Sequence, residues 1–382
     1  VRILFVNPGG SAAGGAERSL ALLIAGLANR GHEIAVTTLM EGDAADAFSK
    51  VGATVLANGV GEGLSRARRH GSLTGFLRGS VESVPEALAT AATLRGLAVS
   101  FRADVIHTNG LRAHVLSPLL VRSNHTVVWT LRERPPGGLA RWLSRRTARS
   151  AAAIIAPSSF AAELVSGTRR PVYVVPNPVE RPVALDPEAS RRLLGLPPGR
   201  PIVAVVAHLH PTKGHHVAVA AWKQIGGHRP LLVLAGGDLY GPASVDYRRS
   251  LEATIVEKGL ERDVMLVGLV DDMAALYAAC DLVLHPALHP EGFGRSIAEA
   301  QSAGVPVLAT ALGGPLELIE NGVSGILVPP GDAAVLANEA ARVLHDPNLR
   351  SRLRTGGLHA GERYGVSAHA AAVESVYKAV SS

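Results

Sequence analysis

The chain has 382 residues, 47% of them apolar and 18% charged, with a formal net charge of +6. That length and apolar content suffice for two domains of ordinary size and argue against disorder. A single cysteine excludes any disulfide within the chain, no stretch approaches the ~20 apolar residues that span a bilayer, and no charged-then-apolar leader precedes the first strand, so the expectation is a soluble protein of a reducing cytoplasm.

In chain order, residues 1–7 read as a buried strand, 8–15 as a glycine-rich loop, and 16–29 as an amphipathic helix ended by Gly31, with His32 opening the next strand. Asp104–His107 is a further strand, at whose end His107, with Asn109, either meets a ligand or is a satisfied structural histidine. Val127–Leu131 ends in Arg132 and Glu133, and Ile154 begins another apolar run. Proline-rich sequence from Pro176 to Pro201 is the candidate linker. Beyond it, Ile202–Ala207 reads as a strand that leads into His208-Leu-His-Pro-Thr-Lys213-Gly214. The segment Gly268-Leu-Val270-Asp-Asp-Met follows another strand, and Asp271 and Asp272 are placed to cap the next helix. Cys280 lies in the apolar run Leu276–Leu284, which predicts a core position. The last segment, from about Ser367, is helical. Strands and helices alternate on both sides of the linker, which predicts an α/β protein of two parallel, doubly wound sheets with a cleft between them.

Charge is uneven: residues 1–180 carry 20 Lys and Arg against 12 Asp and Glu, and residues 181–382 carry 18 against 20. Arg66, Arg68, Arg69 and Arg78, then Arg141, Arg145, Arg146 and Arg149, cluster in the first half, with Phe76 and Trp142 among them. A solvated basic face and a contact with anionic lipid headgroups or an anionic acceptor compete as readings; nucleic-acid binding lacks any accompanying motif.

The most informative stretch is His289–Gly314. Asp281–His285 reads as a short buried strand, Gly292 and Gly294 permit a tight loop, and Ser296–Ala303 is helix-forming sequence closed by Gly304. Backbone amides of Gly294, Arg295 and Ser296 then face the strand's carboxyl end, where a helix N-terminus attracts phosphate. Glu291 in the loop and Glu299 in the helix reach one site. Two carboxylates repel a bare diphosphate, so the hydroxyls of a sugar and a ribose are their natural partners.

Glu291 and Glu299, with Gly292-Phe293-Gly294 between them, resemble the Glu-x7-Glu motif of the family 4 retaining glycosyltransferases of GT-B fold (glycosyl transferases group 1). The flanks carry the specificity: Asp281-Leu-Val-Leu-His285-Pro286 before the motif, Ala303-Gly-Val-Pro-Val307 after it, then Gly313-Gly314 and Asn321-Gly-Val-Ser-Gly325. The resemblance implies two Rossmann-like domains facing a cleft: 1–178 for the acceptor, with the C-terminal helix 367–382 crossing back to it, a linker at 179–200, and 201–366 for the donor. It implies retaining, metal-independent transfer from a UDP- or GDP-sugar to the hydroxyl of a small-molecule, lipid-linked or glycan acceptor, without a cofactor. Residue by residue, Lys213 matches the lysine on the donor phosphates, and His208 stands where the family has an arginine. Glu291, with the amides of Gly292, Phe293 and Gly294, would bind the donor sugar. Glu299 would bind the ribose, Arg295 and Ser296 the diphosphate, and backbone groups around Val270 the base. Gly14 and Gly15 fall on the family's first loop, and His107, Asn109, Arg132 and Glu133 on the acceptor side. Many relatives carry a histidine near the strand end where Arg132 and Glu133 stand, which points to an acceptor different from the family's best-known phospholipid-type ones.

Other readings stay open on sequence alone. Glu291 as a nucleophile in a double displacement is one. A GT-B epimerase acting on the same donor and a sugar-nucleotide-binding protein without turnover are two more. Histidines 208, 210, 215 and 216 lack a metal-ligand spacing, and no Asp-x-Asp sequence occurs, so metal independence is the default.

Overall fold

The computed structural model describes residues 1–61, 73–121, 125–132, 138–238 and 241–381, and the chain divides into two compact units, Val1–Pro178 with Val366–Ser382, and Val179–Gly365. The first unit holds β1 (Arg2–Asn7), β2 (Glu33–Thr38), β3 (Thr54–Ala57), β4 (Val105–Asn109), β5 (Thr126–Thr130), β6 (Ala153–Ala156) and β7 (Val172–Val174). They form one sheet in the order β3-β2-β1-β4-β5-β6-β7, parallel throughout. Helices cover both faces, which is why β1 and β6 read as continuous apolar runs rather than alternating ones.

The second unit holds β8 (Ile202–Val206), β9 (Leu231–Ala235), β10 (Val264–Gly268), β11 (Leu282–His285), β12 (Val307–Thr310) and β13 (Ile326–Val328). These also form a parallel sheet, in the order β10-β9-β8-β11-β12-β13. In both sheets the strand order reverses beside the unit's first strand, at β1/β4 and at β8/β11. Loops leaving two such strands diverge to opposite faces and open a crevice at their carboxyl ends.

Residues 179–200, expected as a linker, belong to the second unit. Pro187–Leu193 is a helix capped by Asp186, whose carboxylate accepts from the Ala189 amide at 2.6 Å. Its Arg191 pairs with Glu188 and with Asp281, at 3.0 Å each, and donates to the Ala279 carbonyl. Proline there starts a helix, since an N1 proline loses no hydrogen bond, and Leu196 is buried in the core beside β8.

The C-terminal helix Val366–Ser381 belongs to the first unit. Ala370, Val373, Val376 and Tyr377 join Ile3, Phe5, Leu20 and Ile24 in one cluster. Gly26 permits the close approach, because a Cβ there would lie 2.8 Å from that of Ala370. Cys280 is packed against apolar neighbours, and burial pushes its thiol pKa up. Among the described residues no helix is long and apolar enough to cross a membrane.

Candidate active site

In the second unit the β8/β11 switch point gathers the predicted residues. After β8, the His210 side chain caps the turn Pro211–Lys213 by accepting from the Thr212 amide. Gly214 follows with φ 71°, and a Cβ on it would overlap the Pro286 carbonyl oxygen. The Leu288 amide donates to the Thr212 carbonyl at 2.7 Å. This loop is thereby pressed against the segment leaving β11, and Lys213 forms an ion pair with Glu291. A depression of about 440 Å³ is lined by His208, His210, Thr212, Lys213, His289 and Glu291.

The loop carrying Glu291 is held from behind. The Gly314 amide donates to the Glu291 carbonyl at 2.8 Å, and a Cβ at Gly314 would overlap the Phe293 backbone. Phe293 is buried edge-on against Tyr364, with ring centroids 5.8 Å apart. Gly294, at φ 104°, caps the helix Arg295–Ser302. Within that helix Glu299 is engaged at both oxygens: Arg295 Nε donates to Oε1 at 2.6 Å and the Tyr277 hydroxyl to Oε2 at 2.7 Å. Burial, then the Glu299 charge, raises the Tyr277 pKa well above the ordinary phenol value, so it remains a neutral donor.

Asp272 caps the helix Met273–Ala279, accepting from the Ala275 amide at 2.8 Å. Val270 sits on the loop after edge strand β10, partly buried against the core of β8 and β9. Tyr277, on the helix that follows, ties this segment to Glu299.

Charges at the site are set by burial and by one another. Burial pushes the Glu291 carboxyl up, but His285, Lys213 and His208 together outweigh it and hold its pKa below the usual carboxylate value. Burial and then Lys213 lower His208 to about 4 against the opposing effect of Glu291, so the ring is neutral near pH 7. Among the described residues no three His, Cys, Asp or Glu side chains converge to hold a metal ion.

Two participants were not singled out from sequence. Tyr277 lies in an apolar helix and reads as core. His285 is the last residue of β11, and a polar residue ending a buried strand at its carboxyl end was the available signal. It is 5% exposed, with Nδ1 3.1 Å from Ser296 Oγ and Nε2 3.5 Å from Glu291 Oε2.

In the first unit a polar chain runs along the carboxyl ends of β1 and β4. Glu17, in the first turn of the helix Gly15–Ala28, lies over the loop so closely that a Cβ at Gly9 or Gly14 would overlap its carboxylate. Asn7 donates to Glu17 at 3.5 Å and to the Gly9 carbonyl at 2.9 Å. Asn109 donates to Asn7 at 2.8 Å and accepts from Arg132 Nε at 2.6 Å, and Arg132 reaches on to Asn177. Asn109 is thus a buried relay rather than an exposed contact, whereas Glu17, Arg132 and Asn177 are partly exposed.

His107 is a correction to the acceptor-side set. It is fully buried, its Nδ1 bonded to the Tyr377 hydroxyl and its Nε2 2.6 Å from Thr130 Oγ1, so the ring anchors the C-terminal helix to β4 and β5. Burial lowers its pKa well below the ordinary value. Glu133, Arg66, Arg68 and Arg69 lie outside the described residues, as do the side chains of Phe76, Arg78 and Arg141.

Two parallel doubly wound units, the second with a lysine-glutamate cluster at its switch point, define the GT-B architecture. Residues 186–359 match the family model described as glycosyl transferases group 1, and residues 13–181 the one described as glycosyltransferase family 4. Each match takes in a little under half of the chain, one toward either end, so the chain has the GT-B fold and is related to both families.

Among curated proteins, the D-inositol 3-phosphate glycosyltransferase of Xylanimonas cellulosilytica is 34% identical over 216 residues, 54% of this chain and 51% of that protein. The 2-deoxystreptamine glucosyltransferase of Streptomyces kanamyceticus is 32% identical over 240 residues, 60% of each. The chain spans about half the length of the curated relatives it matches. Among solved structures, HepE of Anabaena in complex with UDP-glucose is 25% identical, with a TM-score of 0.81 over 99% of both chains. Sucrose-phosphate synthase of Thermosynechococcus elongatus is 21% identical, with a TM-score of 0.80 over 99% of this chain and 98% of that one.

Proposed function

We propose that this protein transfers a sugar from a UDP-sugar to an acceptor hydroxyl, with retention of anomeric configuration and without a divalent metal. The observation that carries this reading is Lys213 beside Glu291 at the β8/β11 switch point, with Glu299 on the adjoining helix. The UDP-glucose complex of HepE favours uridine as the base and glucose as the first sugar to try.

Breaking the bond between sugar and diphosphate builds positive charge on the sugar and negative charge on the leaving group. Stabilising that leaving group is the larger part of the task. Lys213 and the N-terminus of the helix Arg295–Ser302 supply the positive field, and His208 adds a donor. Glu291 takes sugar hydroxyls, and Glu299 takes those of the ribose. No enzyme nucleophile is required: the acceptor attacks from the face the diphosphate leaves, and a phosphate oxygen takes its proton. Acceptor recognition falls to the first unit, through the Gly14–Gly15 loop and Arg132.

A peripheral contact with anionic lipid belongs to the same reading. The helix Gly138–Ala148 exposes Trp142 (58%) and Leu143 beside Arg145 and Arg146. Co-sedimentation with phosphatidylglycerol vesicles, lost in Trp142→Ala, is expected, and equal recovery with neutral vesicles contradicts it.

The function is tested by incubating the protein with UDP-glucose and an acceptor panel in EDTA. UDP release that depends on an acceptor, and an α-linked product by NMR, are expected. Loss of activity in EDTA with recovery on magnesium or manganese contradicts the metal-free reading. An epimerised sugar formed from donor alone favours the epimerase reading instead.

A further inference from the structure

Each of the two site carboxylates has one long, partly exposed cation and one buried neutral donor. Glu299 has Arg295 and the Tyr277 hydroxyl. Glu291 has Lys213, and on its other oxygen His285. The difference is that Tyr277 is already bonded at 2.7 Å, whereas His285 Nε2 is buried, makes no hydrogen bond, and stands 3.5 Å from Glu291 Oε2. A buried ring nitrogen left unbonded is costly, and a shift of about half an ångström closes this gap.

The tautomer follows from the surroundings. Glu291 is ionised, and a ring lone pair aimed at a carboxylate would be repelled. The proton therefore sits on Nε2, and Nδ1 accepts from the Ser296 hydroxyl at 3.1 Å. Ser296 is in the first turn of the helix that begins at Gly294, so the ring is braced against a fixed element.

Lys213 cannot serve Glu291 and a diphosphate at full strength together. On the proposed function, donor binding draws it toward the phosphates and leaves Glu291 Oε1 open to a sugar hydroxyl. We propose that His285 is a positioning residue that then bonds Glu291 Oε2 through Nε2–H and fixes the carboxylate toward the donor sugar. The inference rests on the donor reading of this site.

Calorimetric titrations with UDP and with UDP-glucose test it in the parent, His285→Phe, His285→Gln, Glu291→Ala and the His285→Phe/Glu291→Ala pair. His285→Phe is expected to weaken UDP-glucose by about tenfold or more while changing UDP by about twofold or less. Glutamine, which still offers a donor, is expected to restore most of the loss. In the Glu291→Ala background the phenylalanine change is expected to add nothing. Equal weakening of both ligands, no weakening of either, or glutamine as poor as phenylalanine overturns the proposal. If the parent binds neither ligand, the donor reading falls separately. Imidazole ¹⁵N shifts then decide the contact: a proton on Nε2 supports it, and a proton on Nδ1 overturns it.

Discussion

Lys213 and Glu291, 78 positions apart in the chain, meet as an ion pair because the loops leaving β8 and β11 are pressed together at Gly214 and Pro286. Each would meet a different part of a nucleotide-sugar, so the ligand-free site is neutralised by its own groups. Removing one partner leaves the other charge partly buried. Lys213→Met is therefore expected to lower turnover by about 10²–10³-fold and to destabilise the fold by about 1–3 kcal/mol. Initial rates and urea unfolding check the two effects. Lys213→Met/Glu291→Gln is expected to regain the stability but not the rate.

Gly214→Ala tests the backbone beneath that pair. A Cβ has no space against the Pro286 carbonyl, and φ 71° is unfavourable for alanine. Loss of about 2 kcal/mol or more is expected, by mechanisms of backbone strain and overpacking. An unchanged unfolding midpoint contradicts this.

Glu299 is presented by two donors, so its loss and theirs should be graded. Glu299→Ala is expected to weaken UDP by about 1–3 kcal/mol through lost charge-assisted bonds to the ribose. Tyr277→Phe, which frees one oxygen but keeps the carboxylate, is expected to cost about 1 kcal/mol. Calorimetry with UDP separates them, and equal affinities in all three proteins would remove Glu299 from the site.

Buried neutral histidines make the fold sensitive to acid. Burial lowers His215 and His369 to about 4, and His114 to about 3. Between those values and about 6.5 the unfolded chain binds more protons than the folded one, so stability falls as pH falls through that window, by about 3 kcal/mol each for His215 and His369. Glu291, held below the usual carboxylate value, adds a loss in the same direction at lower pH. Urea midpoints are expected to drop steeply from pH 6.5 to 4, and a flat profile contradicts the buried neutral histidines.

His208 gives a separate dependence on ligand. Its ring titrates at about 4 without donor, and a diphosphate opposes burial and Lys213. Donor affinity is then expected to decline as pH rises from about 4 until the bound ring itself loses its proton, and His208→Arg is expected to flatten the decline. The same slope in parent and variant makes His208 only a wall of the site.

The sheets and the Glu291–Glu299 loop were legible in the sequence, because parallel strands buried on both faces leave apolar runs and a glycine turn marks the strand-to-helix passage. The helix at Pro187–Leu193 was not, since proline-rich sequence reads as linker until Arg191 is seen bonded to Asp281. Tyr277 and His285 were missed for a related reason. Their roles depend on partners in the loop and helix that follow β11, and local periodicity only says that both are buried. His107 shows the converse, a polar residue at a strand end whose ring is spent on Tyr377 and Thr130.

The central claim is that the second unit binds a nucleoside diphosphate sugar through Lys213 and Glu299. Titration calorimetry of UDP-glucose into the parent and into the folded Lys213→Met/Glu299→Ala variant tests it most directly. Saturable binding at one site per chain in the parent, weakened by about 3 kcal/mol or more in the variant, is the predicted result. Equal affinity in the two proteins, or no binding of UDP-glucose or any other UDP- or GDP-sugar by the parent, would contradict it.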